Sequence, residues 1–71
     1  MTALKQWLAS RNLPAKWLAT ELQCHRVTAH RYIRAEDMPR PARVARIEQI
    51  TEGAVGAAQL QLDYQARRAA S

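Results

Sequence analysis

The sequence predicts an all-α fold, a small bundle of about five helices. Apolar residues recur at intervals of three and four along several stretches, the spacing that places them on one face of a helix. Residues that break or end helices fall between these stretches; they are Pro14, Pro39, Pro41, Gly53 and Gly56. A chain of 71 residues makes one domain with a small core, so dimerisation would add to its stability.

The first predicted helix runs from Thr2, a residue type that favours the N-cap position, to about Arg11. Asn12 follows, and asparagine tolerates the left-handed conformation that ends many helices. Pro14 then suits the first turn of the second helix, where its missing N–H would be unpaired anyway. We expect the apolar face of the first helix to enter the core; it consists of Leu4, Trp7 and Leu8.

Residues 14–34 predict two short helices joined by a tight turn over residues 23–25. Each helix has apolar residues on a single face; they are Leu18, Ala19 and Leu22 in one, and Ala29, Tyr32 and Ile33 in the other. Trp17 lies beside the first of these faces, so it either packs partly against the core or borders an interface.

The face of the second helix that points away from the core is basic. It carries Val27, His30, Arg31 and Arg34, and Arg26 lies in the first turn. Residues 25–34 contain no acid, which is unusual for an ordinary solvated helix. A basic face of this kind suits an approach to phosphates and to the edges of guanine bases.

At these residues the chain resembles the helix-turn-helix of phage repressors of the lambda-repressor and Cro type. The pattern consists of Leu18-Ala19-x-x-Leu22, a small apolar residue at Cys24, Ala29 at the usual valine, and Tyr32-Ile33. Residues 50–55 are similar to the segment that follows the motif in small Cro-like regulators, including those called YdaS-type. The likeness covers about residues 3–60. It departs at Gln23, where relatives carry a glycine with positive φ, and at His25, where they prefer Ser or Thr as N-cap.

This resemblance implies a lambda-repressor-like fold in which residues 1–60 bind DNA through a motif at about 14–34. The function that it implies is a sequence-specific, homodimeric, Cro-like repressor that binds a palindromic operator. We expect base contacts from Arg26, Val27, His30 and Arg31. Thr28 and Arg34 are intermediate between base and phosphate contacts. Phosphate contacts are expected from Lys16, Arg40 and Arg43.

The fourth predicted helix begins near Pro41 or Ala42, after a loop with two prolines, and runs to Thr51. Its buried stripe is Val44, Ile47 and Ile50. Arg40, Arg43 and Arg46 line the other side, where they either flank the DNA or form a solvated face. Glu36 and Asp37 in the preceding loop repel the phosphate backbone, pair with Arg40 or Arg43, or are simply solvated. Gly53 suits the end of this helix.

The tail, residues 61–71, is predicted to continue a last helix from Ala57 to about Arg68. An extended alternative would place Leu60, Leu62 and Tyr64 on one face of a strand. Apolar groups remain here after a small core is filled, so we expect a dimer contact near Val55, Leu60, Leu62 and Tyr64. Arg67 and Arg68 either touch DNA or belong to a disordered end.

Composition narrows the function classes further. A net charge of +5 and an isoelectric point near 10.4 favour a polyanionic partner. The single cysteine excludes an intrachain disulfide and is typical of a reducing cytoplasm. No apolar run approaches the roughly 20 residues that span a bilayer, and no signal-peptide pattern opens the sequence. We therefore expect a cytoplasmic protein with no membrane partner.

Cys24, His25 and His30 are the residues that invite a metal or catalytic interpretation, but they lack a fourth ligand and the spacing of zinc modules. We expect no metal, no cofactor and no enzymatic activity. Two alternatives to specific DNA binding stay open. One is an antitoxin-like or other protein-interaction module whose basic face meets an acidic partner. The other is non-specific compaction of nucleic acid.

Overall fold

A computed structural model of the chain describes residues 1–70, which form five helices and no strand. The helices are α1 (Ala3–Ser10), α2 (Ala15–Leu22), α3 (Arg26–Ile33), α4 (Pro41–Ile50) and α5 (Ala57–Ala70). The all-helical class predicted from the sequence is confirmed over these residues. The tail is helical up to Ala70, so the extended alternative for residues 60–64 is wrong.

All five helices contribute to one hydrophobic core. α3 packs mainly on α2 and also on α1, α4 packs on α2, and α5 closes the bundle against α1 and α4. The buried set is Leu4, Leu8, Leu18, Ala19, Leu22, Ala29, Tyr32, Ile33, Ile47, Val55 and Leu60. Within the predicted stripe of α4, Ile47 is buried completely whereas Val44 and Ile50 are half-buried at the edge of the core.

Four of the helices, α1 to α4, end in the same way. A residue in the left-handed conformation ends the helix, and the N–H of the next residue donates a hydrogen bond to the carbonyl five positions before it. The N–H groups of Leu13, Cys24, Glu36 and Gly53 donate to the carbonyls of Leu8, Ala19, Arg31 and Glu48 at 2.8–3.0 Å. The left-handed residues are Asn12, Gln23, Ala35 and Glu52, with φ between 53° and 58°. Gly53 was expected to end α4, but Glu52 takes that place and Gly53 follows it at φ 85°.

The start of α1 is capped from two directions. The Thr2 hydroxyl accepts a hydrogen bond from the Lys5 N–H at 3.1 Å and donates to the carbonyl of Ile33. The carboxylate of Asp63, from the middle of α5, accepts from the Ala3 N–H at 2.9 Å. A carboxylate at this position satisfies an N–H that has no partner within its helix, and it lies at the positive end of the helix dipole. Residues beyond position 60 therefore belong to the same folded unit as α1.

This packing changes the expected dimer contact. Val55 and Leu60 are 1% and 5% exposed and lie inside the core, so they offer no surface to a second copy. The burial of Leu60 follows from α5 folding back onto α1 and α4, which the sequence pattern did not reveal. Leu62 is 60% exposed and Tyr64 is half-buried, so these two residues alone remain available for such a contact.

Replacing Gln23 by glycine should stabilise the fold. Gln23 is exposed and adopts φ 53°, which glycine reaches without the steric cost that a side chain incurs. We expect Gln23→Gly to raise the free energy of unfolding by about 0.5–1 kcal/mol, measured by thermal or urea denaturation. Gln61→Gly is the matched control: it lies in the interior of α5 and should lower stability by about 1 kcal/mol. Equal destabilisation by both variants would contradict a left-handed Gln23.

Removing the carboxylate of Asp63 should destabilise the chain, because the Ala3 N–H loses its partner and α5 loses a tie to α1. We expect Asp63→Ala to cost about 1 kcal/mol, equivalent to a fall in Tm of about 4–8 °C for a domain of this size. Asp37→Ala, which removes the same charge from an exposed loop position, should leave Tm nearly unchanged. A similar fall in Tm for both variants would show that the change in net charge, and not the lost hydrogen bond, causes the effect.

Candidate nucleic-acid interface

The orientation of α3 is fixed by the turn that joins it to α2. His25 is the N-cap of α3, and its Nδ1 accepts a hydrogen bond from the Val27 N–H at 3.3 Å. Cys24 is half-buried against the core, and its N–H donates to the Ala19 carbonyl. At positions 23 and 25 the chain departs from the resembled pattern, but each residue has the local role expected there: Gln23 is left-handed, and His25 caps a helix.

The two faces of α3 divide as the sequence predicts. Ala29, Tyr32 and Ile33 are buried at 0–8% exposure. The opposite side contains Arg26, Val27, Arg31 and Arg34, all exposed, with Thr28 and His30 half-buried at its edges. Val27 is 53% exposed, which is high for an aliphatic residue on a packed helix. This face therefore offers guanidinium groups around an apolar patch to whatever binds there.

Lys16 and Arg40, two of the predicted phosphate contacts, lie exposed at the starts of α2 and α4. Arg43, the third, is half-buried. Its Nη1 donates to the hydroxyl of Tyr32 at 2.7 Å, and its guanidinium carbon lies 5.9 Å from the centre of the ring. The hydrogen bond to Tyr32 raises the pKa of Arg43 above its ordinary value. Arg43 therefore braces α4 against α3, with further N–H donors left on the guanidinium.

Arg46, the last of the three arginines on α4, serves the fold. Its Nη2 lies 3.0 Å from a carboxylate oxygen of Glu21, and its Nε donates to the carbonyl of the same residue. Nη1 donates to Gln49. Arg46 therefore ties α4 to α2 while it stays exposed, and its predicted position beside DNA stays a prediction.

Glu36 pairs with different arginines from those predicted. Its carboxylate lies 3.7 Å from Arg34 and 3.5 Å from Arg67, so the pairing with Arg40 or Arg43, one of the three alternatives for this residue, is not the one observed. Arg67 also donates to the Arg34 carbonyl at 3.3 Å. The far half of α5 is thereby held against the end of α3, which is why Arg67 belongs to an ordered helix.

The basic residues separate into two groups. Arg34, Arg46 and Arg67 form ion pairs that tie helices or their ends together. No ion pair forms, within residues 1–70, at Lys16, Arg26, Arg31 or Arg40. Among the predicted DNA contacts, the residues without an ion pair therefore lie on α3 and at the starts of α2 and α4.

Trp7 and Trp17 pack against each other at the junction of α1 and α2. Their ring centres are 5.9 Å apart, and both residues are half-buried at the edge of the core. Arg11 lies 5.0 Å above the Trp7 ring. Partial packing, one of the two alternatives for Trp17, is thus observed, whereas Trp7 lies nearer the surface than a core residue would.

Lys5 is a basic residue near α3 that the sequence analysis did not single out. It lines an open groove of about 330 Å³ between α1, the start of α2 and α3, together with Leu8, Ala9, Leu13, Ala15, His30, Ile33 and Arg34. The sequence pattern assigns a role only to the apolar face of α1. The position of Lys5 directly after the buried Leu4 was the one available signal that it flanks that face.

No three His, Cys, Asp or Glu residues within positions 1–70 are grouped so that they could hold a metal ion. Cys24 and His25 serve the turn, and His30 lines the groove. Over the same residues no helix combines the length and the apolar character needed to cross a membrane.

No protein-family model, curated protein or solved structure matches the chain. The likeness to lambda-repressor and Cro type regulators therefore stays an expectation from the sequence. Function is inferred here from the geometry and charge of the surface.

Proposed function

We propose that the chain is a sequence-specific DNA-binding transcriptional regulator of the Cro-like helix-turn-helix kind, with α3 as its recognition helix. One observation carries this proposal. α3 is anchored in the core by one face, and its opposite face is free of acids and contains the unpaired Arg26 and Arg31 around the exposed Val27. Cations without partners repel one another and are stabilised by a polyanion.

The chemistry of this face matches the floor of a DNA major groove. An arginine can donate two hydrogen bonds to O6 and N7 of guanine, and valine can contact the methyl group of thymine. α3 has eight residues and is therefore about 12 Å long, which corresponds to three or four base pairs. Arg26, Val27, His30 and Arg31 are the proposed base contacts, and Thr28 and Arg34 reach either bases or phosphates.

The proposed phosphate contacts border this face on two sides. Lys16 lies in the first turn of α2, where the helix dipole also favours an anion. Arg40 precedes α4, and Arg43 retains donors beyond the one that it uses on Tyr32. These contacts hold the protein in register on the duplex without reading its sequence.

We propose that a two-fold dimer binds a palindromic operator, and the size of the chain is compatible with this arrangement. Recognition helices of such dimers enter successive major grooves about 34 Å apart. The longest dimension of the chain is 29 Å, so two copies side by side on one face of DNA come close enough to touch. Leu62 and Tyr64 are the proposed contact. Occupying an operator that overlaps a promoter would exclude the polymerase sterically.

The proposal is tested by selection from a random duplex pool at near-physiological salt, followed by sequencing. We expect enrichment of an inverted repeat whose half-site centres are about one helical turn apart. Affinity for all duplexes without enrichment would indicate non-specific compaction instead. No duplex affinity from a folded chain, with recovery of a stable complex with another protein, would indicate an interaction module and overturn DNA binding.

Arg31→Ala and Lys16→Ala remove the same charge and should differ in their effect on binding. Arg31→Ala should cost about 1–3 kcal/mol on the selected operator and relax the preference at one base pair. Lys16→Ala should weaken binding to every sequence by a similar factor and lower the slope of log affinity against log salt by about one. Fluorescence anisotropy on the operator and on a scrambled duplex separates the two. Equal losses from Arg31→Ala on both duplexes would place Arg31 among the phosphate contacts.

A further inference from the structure

Two hollows lie beside α3, between α3 and α1, and Lys5, Ile33 and Arg34 line both of them. The hollow next to α2 is the groove of about 330 Å³ that also contains Leu8, Leu13 and His30. The hollow towards α5 has a volume of about 410 Å³ and reaches Ala66 and Arg67. We call the hollow next to α2 the α1–α3 groove.

The α1–α3 groove is basic at its rim. Three of its lining residues, Lys5, His30 and Arg34, carry basic groups, and none of the eight is acidic. The adjoining hollow contains one acid, Asp63, whose two oxygens already accept from the Ala3 N–H and from the Gln59 amide. Arg34 lies 3.7 Å from Glu36, a residue that does not line the groove. An anion in the α1–α3 groove would therefore meet Lys5 with no carboxylate in the lining, and it would compete with Glu36 for Arg34.

The floor of the groove is apolar. Leu8 and Ile33 are buried core residues whose edges reach it, and Leu13 and Ala15 are half-buried. A free inorganic anion would gain nothing from contact with an apolar floor. A sugar–phosphate chain would gain from both the floor and the rim, because its deoxyribose rings are largely apolar and its phosphates are charged.

The groove is continuous with the surface proposed to bind DNA. His30 and Arg34 belong to both, and Ala15 at its edge precedes Lys16, a proposed phosphate contact. A strand held near the start of α2 would lie beside the groove that Lys5 lines. We propose that the α1–α3 groove holds the sugar–phosphate backbone of one DNA strand bordering the major groove, and that Lys5 is a phosphate contact contributed by α1. This inference rests on the proposed DNA binding.

The test compares Lys5→Gln with Arg11→Gln by fluorescence anisotropy over a series of salt concentrations, on the selected operator and on a scrambled duplex. Both residues are exposed, lie on or next to α1 and carry one charge, but Arg11 lies over the Trp7 ring, on the side where α1 meets Trp17. Lys5→Arg keeps the charge and serves as the rescue variant. Circular dichroism confirms that each variant is folded.

We expect Lys5→Gln to weaken binding to both duplexes about fivefold at roughly 0.15 M salt and to lower the salt slope by about 0.9, the contribution of one phosphate contact. Lys5→Arg should restore both values, and Arg11→Gln should change them far less. Equal losses from Lys5→Gln and Arg11→Gln, or an unchanged slope for Lys5→Gln, would overturn the groove proposal while leaving DNA binding intact. No duplex binding by the unaltered chain would overturn both.

Discussion

The direction of each helix after the first depends on a left-handed residue at the end of the helix before it. Asn12, Gln23 and Glu52 redirect the chain after α1, α2 and α4, and Ala35 does so before the loop to α4. Three of the helices have only eight residues, too few to be stable alone in water. They persist because these ends and the shared core hold them. Side chains at such φ values each cost up to about 1–2 kcal/mol, a sizeable fraction of the 5–15 kcal/mol that stabilises a typical domain.

The charged residues divide the molecule into a part that holds the fold and a part that is free to bind. Arg46 with Glu21 and Arg67 with Glu36 form ion pairs that hold separate parts of the bundle together. Exposed pairs of this kind contribute at most about 1 kcal/mol each, so their main effect is to fix geometry and to neutralise charge there. Arg26 and Arg31, on the exposed side of α3, form no ion pair within residues 1–70 and stay available to a ligand.

Local sequence patterns were sufficient to predict the helices and the buried face of α3, because both follow from the spacing of apolar residues. They were insufficient for features that join distant positions. The hydrogen bond from Ala3 to Asp63 spans 60 positions, and the bond from Arg46 to Glu21 spans 25. Leu60 was misplaced for the same reason: a pattern shows that a residue is apolar, but not which helix will cover it. Lys5 was overlooked because its importance depends on which helix lies beside α1.

The bond between Ala3 and Asp63 also bears on how the chain acquires its structure during synthesis. α1 cannot be capped by this carboxylate until residue 63 has been made. Contacts between such distant positions slow folding because a long loop must close before they form. A nascent chain that already contains all of α2 and α3 still lacks this tie and the cover that α5 provides for the core. The bundle is therefore completed only when α5 emerges, and a translation product interrupted before α5 would expose its apolar core to chaperones and proteases.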